Sequence, residues 1–357
     1  MSTDKWTLEE VCEKGSSSLM QKNLKLGTGA FPIYGASGLL GFVDFYHRQE
    51  EYIGIVKDGA GVGRAMLLPA QSSCIGTMQY LIPNQNVTAH YLYYAIQNMN
   101  LAKYNTGATI PHIYFRDYKR ESIPKRSIQE QEIISEKIDK VENIIKIKRE
   151  QLSHLDDLVK SQFIEMFGGY SLRDRKPDWV KIKAVAEVVG GSTPKTDRAE
   201  YWDGGFNWVT PAELKEDDYI VTKTQRTLTE DGINSCSLRR LPIGTVLLSS
   251  RAPIGKVAIA GIEMYCNQGF KNLICSRELN PLYIYALLKY NSNYLNSLGR
   301  GATFKEISKS IVENIYIPVP EIDRQNEFAR FVEQTDKSKV LCSRSKFLIS
   351  LLGGVEK

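Results

Sequence analysis

Cysteine and histidine are scarce and scattered in this sequence. The six cysteines (Cys12, Cys74, Cys236, Cys266, Cys275 and Cys342) form no Cys-x-x-Cys pair, and the four histidines (His47, His90, His112 and His154) are equally dispersed. A structural zinc site draws thiolates and imidazoles from closely spaced ligands. No metal is therefore expected, and the thiols read as reduced, partly buried groups of a cytoplasmic protein. No run of about 18 apolar residues occurs, which excludes a membrane-spanning helix. Residues 1–10 lack the apolar stretch of an export signal, so secretion is not expected. Catalytic signatures are missing too: there is no Gly-x-x-x-x-Gly-Lys-Ser/Thr phosphate loop, no His-Glu-x-x-His and no Gly-x-Ser-x-Gly.

What is present is ordinary in bulk and unusual in order. At 357 residues, with 42% hydrophobic and 24% charged, the chain suits two or more globular domains, each with its own core. The net charge of +5, from 46 basic and 41 acidic residues, is a weak signal. A nucleic-acid partner would need that charge gathered on one face.

The sequence is written twice. Gly107-Ala108-Thr109 returns as Gly301-Ala302-Thr303, 194 positions later, and at the same shift Ile123-Pro124 meets Ile317-Pro318, Ile128 meets Ile322 and Gln131 meets Gln325. Upstream the shift is 192: Val62-Gly63-Arg64 meets Ile254-Gly255-Lys256, Tyr91-Leu92-Tyr93 meets Tyr283-Ile284-Tyr285, and Cys74 meets Cys266. One triplet would be noise, but several in order at a nearly constant shift are not.

Each copy is a mixed segment followed by a helical one. Ser127 and Glu130 form a capping-box pattern. After them Ile134, Ile138, Val141, Ile145, Leu152, Leu155, Val159 and Met166 fall on alternating steps of four and three, with only Lys148 and Gln162 polar in the series. A sustained 3.5-residue period predicts a coiled-coil seam. It stops at Phe167-Gly168-Gly169, where glycine supplies a left-handed cap. Roughly 40 helical residues make a rod of about 60 Å. A second, shorter rod is expected from Pro320 to Gly353-Gly354, with Phe328, Val332, Leu341, Leu348 and Leu352 on its seam. Taken alone, such helices read as spacers or dimerisation devices. The segments before them, 28–82 and 206–275, carry short apolar runs between glycines and read as β-strands, with helices near 88–102 and 280–298. The expected fold class is α+β: two domains of short strands plus helices, alternating with two long helices that pair as an antiparallel coiled coil.

Two features imitate active sites. Gly59-Ala60-Gly61-Val62-Gly63 looks like a nucleotide loop, but Arg64-Ala65-Met66-Leu67-Leu68 after it reads as a strand where the dinucleotide fingerprint needs a helix. A tight strand-to-strand turn explains it. Asn280-Pro281-Leu282-Tyr283 resembles the Asn-Pro-Pro-Tyr type of motif in adenine-N6 methyltransferases, and a self-contained methyltransferase is the alternative reading. However, no methyl-donor loop precedes it, and Asn280 capping a helix with Pro281 in its first turn accounts for the same residues.

Phe31-Pro32-Ile33-Tyr34-Gly35-Ala36-Ser37-Gly38-Leu39-Leu40-Gly41-Phe42-Val43-Asp44 resembles a motif of target-recognition domains in the specificity subunits of type I restriction–modification enzymes. So do Gly190-Gly191-Ser192-Thr193-Pro194-Lys195, Tyr201-Trp202-Asp203-Gly204-Gly205 and Trp208-Val209-Thr210-Pro211-Ala212-Glu213-Leu214. Segments 123–131 and 317–325 resemble the starts of that family's helices, and the likeness covers essentially the whole chain. It implies a first recognition domain over 1–125, a central helix over 126–168, a second recognition domain over 169–317 and a last helix over 318–357. Each domain would read one half of a split double-stranded DNA target, and the helices would set the gap. Two methyltransferase (M) subunits carrying S-adenosylmethionine would dock on the chain, and restriction (R) subunits would join. The chain itself would hold no cofactor and no catalytic residue.

Base reading needs forked donors and amides, and phosphate contact needs cations, hydroxyls and backbone N–H groups. The residues expected at the DNA are Tyr34, Ser37, Lys57, Arg64, Gln79 and Thr109 in the first copy. In the second they are Thr193, Lys195, Thr210, Arg251, Lys256, Asn267, Gln268, Lys271, Thr303 and Lys305. The plain reading of each is a solvated surface side chain. The pairs Arg64/Lys256 and Thr109/Thr303 stand out because the duplication keeps their chemistry.

Overall fold

The computed structural model describes residues 4–27, 29–106, 110–214, 219–300 and 305–353, with side chains of the last helix described through Lys339. The chain forms two compact units. One holds residues up to 147 with the end of the last helix, and the other holds residues 148–348. The architecture is mixed, with strands and short helices in both units and long helices of 40 and 32 residues over Ile128–Phe167 and Ile322–Gly353. Among the described residues no helix is long and apolar enough to cross a membrane.

In the first unit a four-stranded antiparallel sheet runs in the order Cys12–Ser16, Met78–Pro83, Tyr52–Val56, Ala65–Leu68. Tyr52–Val56 is buried at all five positions, so its unbroken apolar run has no solvent face to alternate with. The hairpin Phe31–Gly35/Gly38–Val43 and the parallel strand Ser73–Cys74 make a second, three-stranded sheet. A short pair, Lys5–Thr7 with Ser122–Pro124, closes the unit beside the start of the central helix.

The second unit repeats the plan. Its larger sheet runs Ala186–Gly190, Lys271–Cys275, Val246–Leu248, Val257–Ala260, with Ile220–Val221 added in parallel at the edge. Its smaller sheet again combines an antiparallel pair, Trp202–Val209 with Arg226–Leu228, and a parallel partner, Tyr265–Cys266. That last strand takes the place of Ser73–Cys74 in the first unit. Val180–Lys181 with Tyr316–Ile317 repeats the closing pair.

The central helix starts as expected. The Ser127 N–H donates to the Glu130 carboxylate (2.8 Å), and the Glu130 N–H donates to Ser127 Oγ (3.3 Å). It ends at Gly168, whose φ of +79° lies in the left-handed region that favours glycine. All ten positions of the expected seam, Lys148 and Gln162 included, are half-buried. The helix also buries Phe163 and Phe167, which pack among Tyr283 and Phe328 with ring centroids 4.8–5.8 Å apart. On the last helix Phe328 and Val332 are buried as expected. The expected seam residues Leu341, Leu348 and Leu352 lie outside the described side chains.

Both units hang on their helices by the same contacts. Gln131 is fully buried. Its Oε1 accepts from the Thr88 N–H (2.9 Å), and its Nε2 donates to the carbonyls of Asn86 (2.8 Å) and Arg126 (3.0 Å). Gln325, also fully buried, accepts from the Asn280 N–H (2.8 Å) and donates to the carbonyls of Glu278 (3.0 Å) and Pro320 (2.7 Å). The Tyr91 hydroxyl donates to the Pro124 carbonyl (2.9 Å), and that of Tyr283 to the Pro318 carbonyl (3.0 Å).

Candidate nucleic-acid interface

In the second unit the loops between strands bring most of the expected residues together. Two tryptophans hold the 192–195 loop: the Trp208 indole N–H donates to the Ser192 carbonyl and that of Trp202 to the Lys195 carbonyl, both at 3.1 Å. The Arg226 guanidinium lies 3.4 Å over the Trp202 ring. Gly191 has no room for a side chain, since a Cβ there would sit 2.2 Å from the carbonyl oxygens of Cys266 and Asn267. The loop therefore presents Thr193 and an exposed Lys195. The Thr193 hydroxyl donates to Gln268 Oε1, and Gln268 is itself exposed.

Beside them is a charged group of three. Arg251 Nε donates to Glu306 Oε2 (3.1 Å), and Lys271 Nζ donates to Glu306 Oε1 (3.2 Å), to Ser250 Oγ (3.3 Å) and to the Gln268 carbonyl (3.5 Å). Burial pushes the Glu306 carboxyl up, but the bonds from Lys271 and Arg251 outweigh it and hold the group below the usual carboxylate range. Lys305 is exposed next to this group.

The first unit has a different surface on the same frame. Asp58 and His112 form the backbone bridge that Arg251 and Glu306 form in the second unit. Their side chains pair, and Lys57 Nζ lies 3.5 Å from Asp58. The His112 ring packs on Tyr114 at 4.1 Å, and Arg116 lies 4.5 Å over Tyr114. Ser37 is exposed at the hairpin turn, Tyr34 is half-buried in the strand before it, and Arg64 is exposed with no ion-pair partner among the described residues.

Several of the expected residues have partners within the protein, and Gln79 needs correction. Gln79 is 2% exposed and donates to the Tyr118 hydroxyl (2.6 Å), so it is an interior group that reaches no ligand. Lys256 commits its ammonium to the Leu214 carbonyl (3.2 Å), unlike its counterpart Arg64. Lys271 has a side chain only 12% exposed and acts as an anchor for Glu306. Thr210 caps a short turn through Glu213, and the Asn267 side chain accepts from the Gly269 N–H (2.9 Å). Thr109 and Thr303 lie outside the described residues. Glu306, His112, Tyr114 and Arg116 belong to these groups and were not among the expected residues. Imidazole, phenol and guanidinium side chains at the alternate positions 112, 114 and 116 were the available signal for three of them.

The two imitations resolve into scaffold. Gly59, Gly61 and Gly63 all have φ near +85° in a turn joining antiparallel strands. Asn280 accepts from the Leu282 N–H (2.8 Å) as a helix cap, and Tyr283 is fully buried. Neither side chain is left to hold a flipped base.

Comparison with known proteins agrees with this duplication. A family model described as the type I restriction modification DNA specificity domain matches twice, over residues 3–156 and 177–344. The type I restriction enzyme MjaIX specificity subunit of Methanocaldococcus jannaschii is 42% identical over 164 residues, 44% of this chain and 38% of that relative. The EcoR124I/EcoR124II specificity subunit of Escherichia coli is 25% identical over 178 residues, 48% of this chain and 43% of that relative. Each match thus spans less than half of the relative's length. The crystal structure of a type I restriction–modification S subunit from M. genitalium superposes with a TM-score of 0.62 at 16% identity, covering 98% of this chain and 93% of that one. At that identity the likeness concerns the fold.

Proposed function

This chain belongs to the type I restriction modification DNA specificity family, and from that premise we propose that it is a sequence-specific DNA-binding subunit that catalyses nothing itself. The domain over 1–125 reads one half of a split target and the domain over 169–317 reads the other. The helices within 126–168 and 318–357 pair as an antiparallel coiled coil, set the gap of unspecified bases and dock two methyltransferase subunits. Restriction subunits join that complex. S-adenosylmethionine belongs to the methyltransferase subunits, and this chain needs no cofactor of its own.

The observation that carries this reading is a retained frame under a diverged surface. Sheet order, the buried glutamine and the tyrosine-to-proline bond recur in both units. The partly exposed bridge residues do not. Two readers of different half-sites need that combination, because scaffold and phosphate contacts position while base contacts specify. The half-buried seam of the central helix supports the coiled-coil pairing.

Selection of the full chain against a pool of random duplexes tests the reading. The expected product is two short sequences at a fixed gap. Enrichment of one continuous site, or of nothing, overturns it. Inserting seven residues after Lys148 and at the matching level of the last helix keeps the seam in register and adds about 10 Å of rod. The gap should widen by about two to three base pairs with both half-sites kept. An unchanged gap in a folded variant removes the helices from that role.

A further inference from the structure

The DNA-reading role proposed above leaves the bases unnamed, and one side chain of the second unit is built to choose one. Resting on that role, we propose that Arg251, oriented by Glu306, reads a guanine in the half-site of the second unit.

Arg251 is half-exposed, with 49% of its side chain accessible, and only its Nε is engaged, by Glu306 Oε2 at 3.1 Å. Its two terminal nitrogens have no partner among the described residues. A guanidinium held by Nε presents those nitrogens as a flat fork. Guanine offers N7 and O6, two acceptors side by side, at the major-groove edge. Adenine offers one acceptor and one donor there, so its amino group would face an N–H.

Glu306 is fixed well enough to aim the fork. Its backbone exchanges both hydrogen bonds with Arg300 (3.0 and 3.1 Å), and its second oxygen takes Lys271 at 3.2 Å. The Lys271 ammonium balances the carboxylate, so the group keeps the net charge of one cation. A carboxylate beside the guanidinium also disfavours a phosphate at the same place, by like-charge repulsion. In the first unit the corresponding bridge holds Asp58 and His112. It offers no such fork, so the preference belongs to one half-site only.

The test is the selection of the full chain and of Arg251→Ala, Arg251→Lys and Glu306→Gln from random duplexes, read as base preference at each position. Thermal melts check that each variant is folded. The wild type should show a guanine in one half-site. Arg251→Ala should lose that single preference by roughly ten- to a hundredfold, with the other half-site unaltered. Arg251→Lys should not restore it, because an ammonium is a point donor without the fork. Glu306→Gln should weaken discrimination at the same position. A folded Arg251→Ala that keeps every preference overturns the inference while leaving the DNA-reading role intact. So does one that binds all sequences equally less well with a shallower salt dependence, since Arg251 would then hold a phosphate. A wild type with no two-part preference overturns both.

Discussion

One backbone bridge carries Asp58 and His112 in the first unit and Arg251 and Glu306 in the second, while the buried Gln131 and Gln325 make the same three bonds. The difference separates two kinds of constraint. A buried amide with three partners cannot be replaced without stranding polar groups, at about 1–3 kcal/mol each. A partly exposed pair of polar side chains near the surface is worth about 0–1 kcal/mol, so the fold tolerates its exchange. The repeated buried glutamines hold each unit to its own helix, and the diverged bridge residues are free to differ.

The largest expected effect breaks the symmetry between the units. Phe163 is buried against Tyr283 and Phe328 of the second unit. Phe163→Ala should destabilise that unit by about 3–5 kcal/mol. Limited proteolysis should then cut first within 177–317, and equal early cutting in both units would contradict the assignment.

The glutamine clamps should fail alike. Gln131→Leu and Gln325→Leu should each cost about 2 kcal/mol, each leaving one N–H and two carbonyls without their partner. Urea midpoints check this, and a large cost in only one variant would break the equivalence.

Arg64 and Lys256 sharpen the comparison, since the repeat aligns them and the structure treats them differently. Arg64→Ala should lower the salt slope of DNA binding by about one unit and leave stability unchanged. Lys256→Ala should instead cost about 1 kcal/mol of stability, because the Leu214 carbonyl loses its charged donor. Melting curves and salt titrations separate the two.

The smallest effect is acid sensitivity. Glu306 is held below its ordinary value of about 4.5. The stability it supplies is therefore present above that value and lost as pH falls through the lower folded one. Glu306→Gln should flatten the loss of stability of the second unit below about pH 4.5. Melting temperatures on either side of that pH measure it, and an unchanged slope would show that the group carries no such linkage.

Much of the frame was legible because it is periodic or repeated. The capping box at Ser127, the half-buried stripe from Ile134 to Met166 and the stop at Gly168 are local patterns, and local physics decides them. The glycine turn at 59–63 and the cap at Asn280 were legible for the same reason. The strand Ile220–Val221 and the parallel pairings of Ser73–Cys74 and Tyr265–Cys266 were not, since parallel partners lie far apart in sequence and leave no turn to read. The site was less legible still. Gln79 has the side chain of a base reader, but tertiary burial gave it to Tyr118. Lys256 has the charge of a phosphate contact, but a carbonyl claimed it. Glu306 was not expected because a search for DNA contacts passes over an acid until its two cations are seen.

The aromatic end of the central helix also has a place in time. Phe163 and Phe167 emerge from the ribosome long before their partners: Tyr283 follows Phe163 by 120 positions, and Phe328 comes later still. At synthesis rates of roughly 5–20 residues per second, that interval is on the order of ten seconds. Through it the nascent chain carries a helix whose start is already clamped at Gln131 and whose far end shows two uncovered rings. Fragments cut or stopped between 168 and 283 should therefore be sticky, and a chaperone should favour that stretch of the nascent chain over the segment before it.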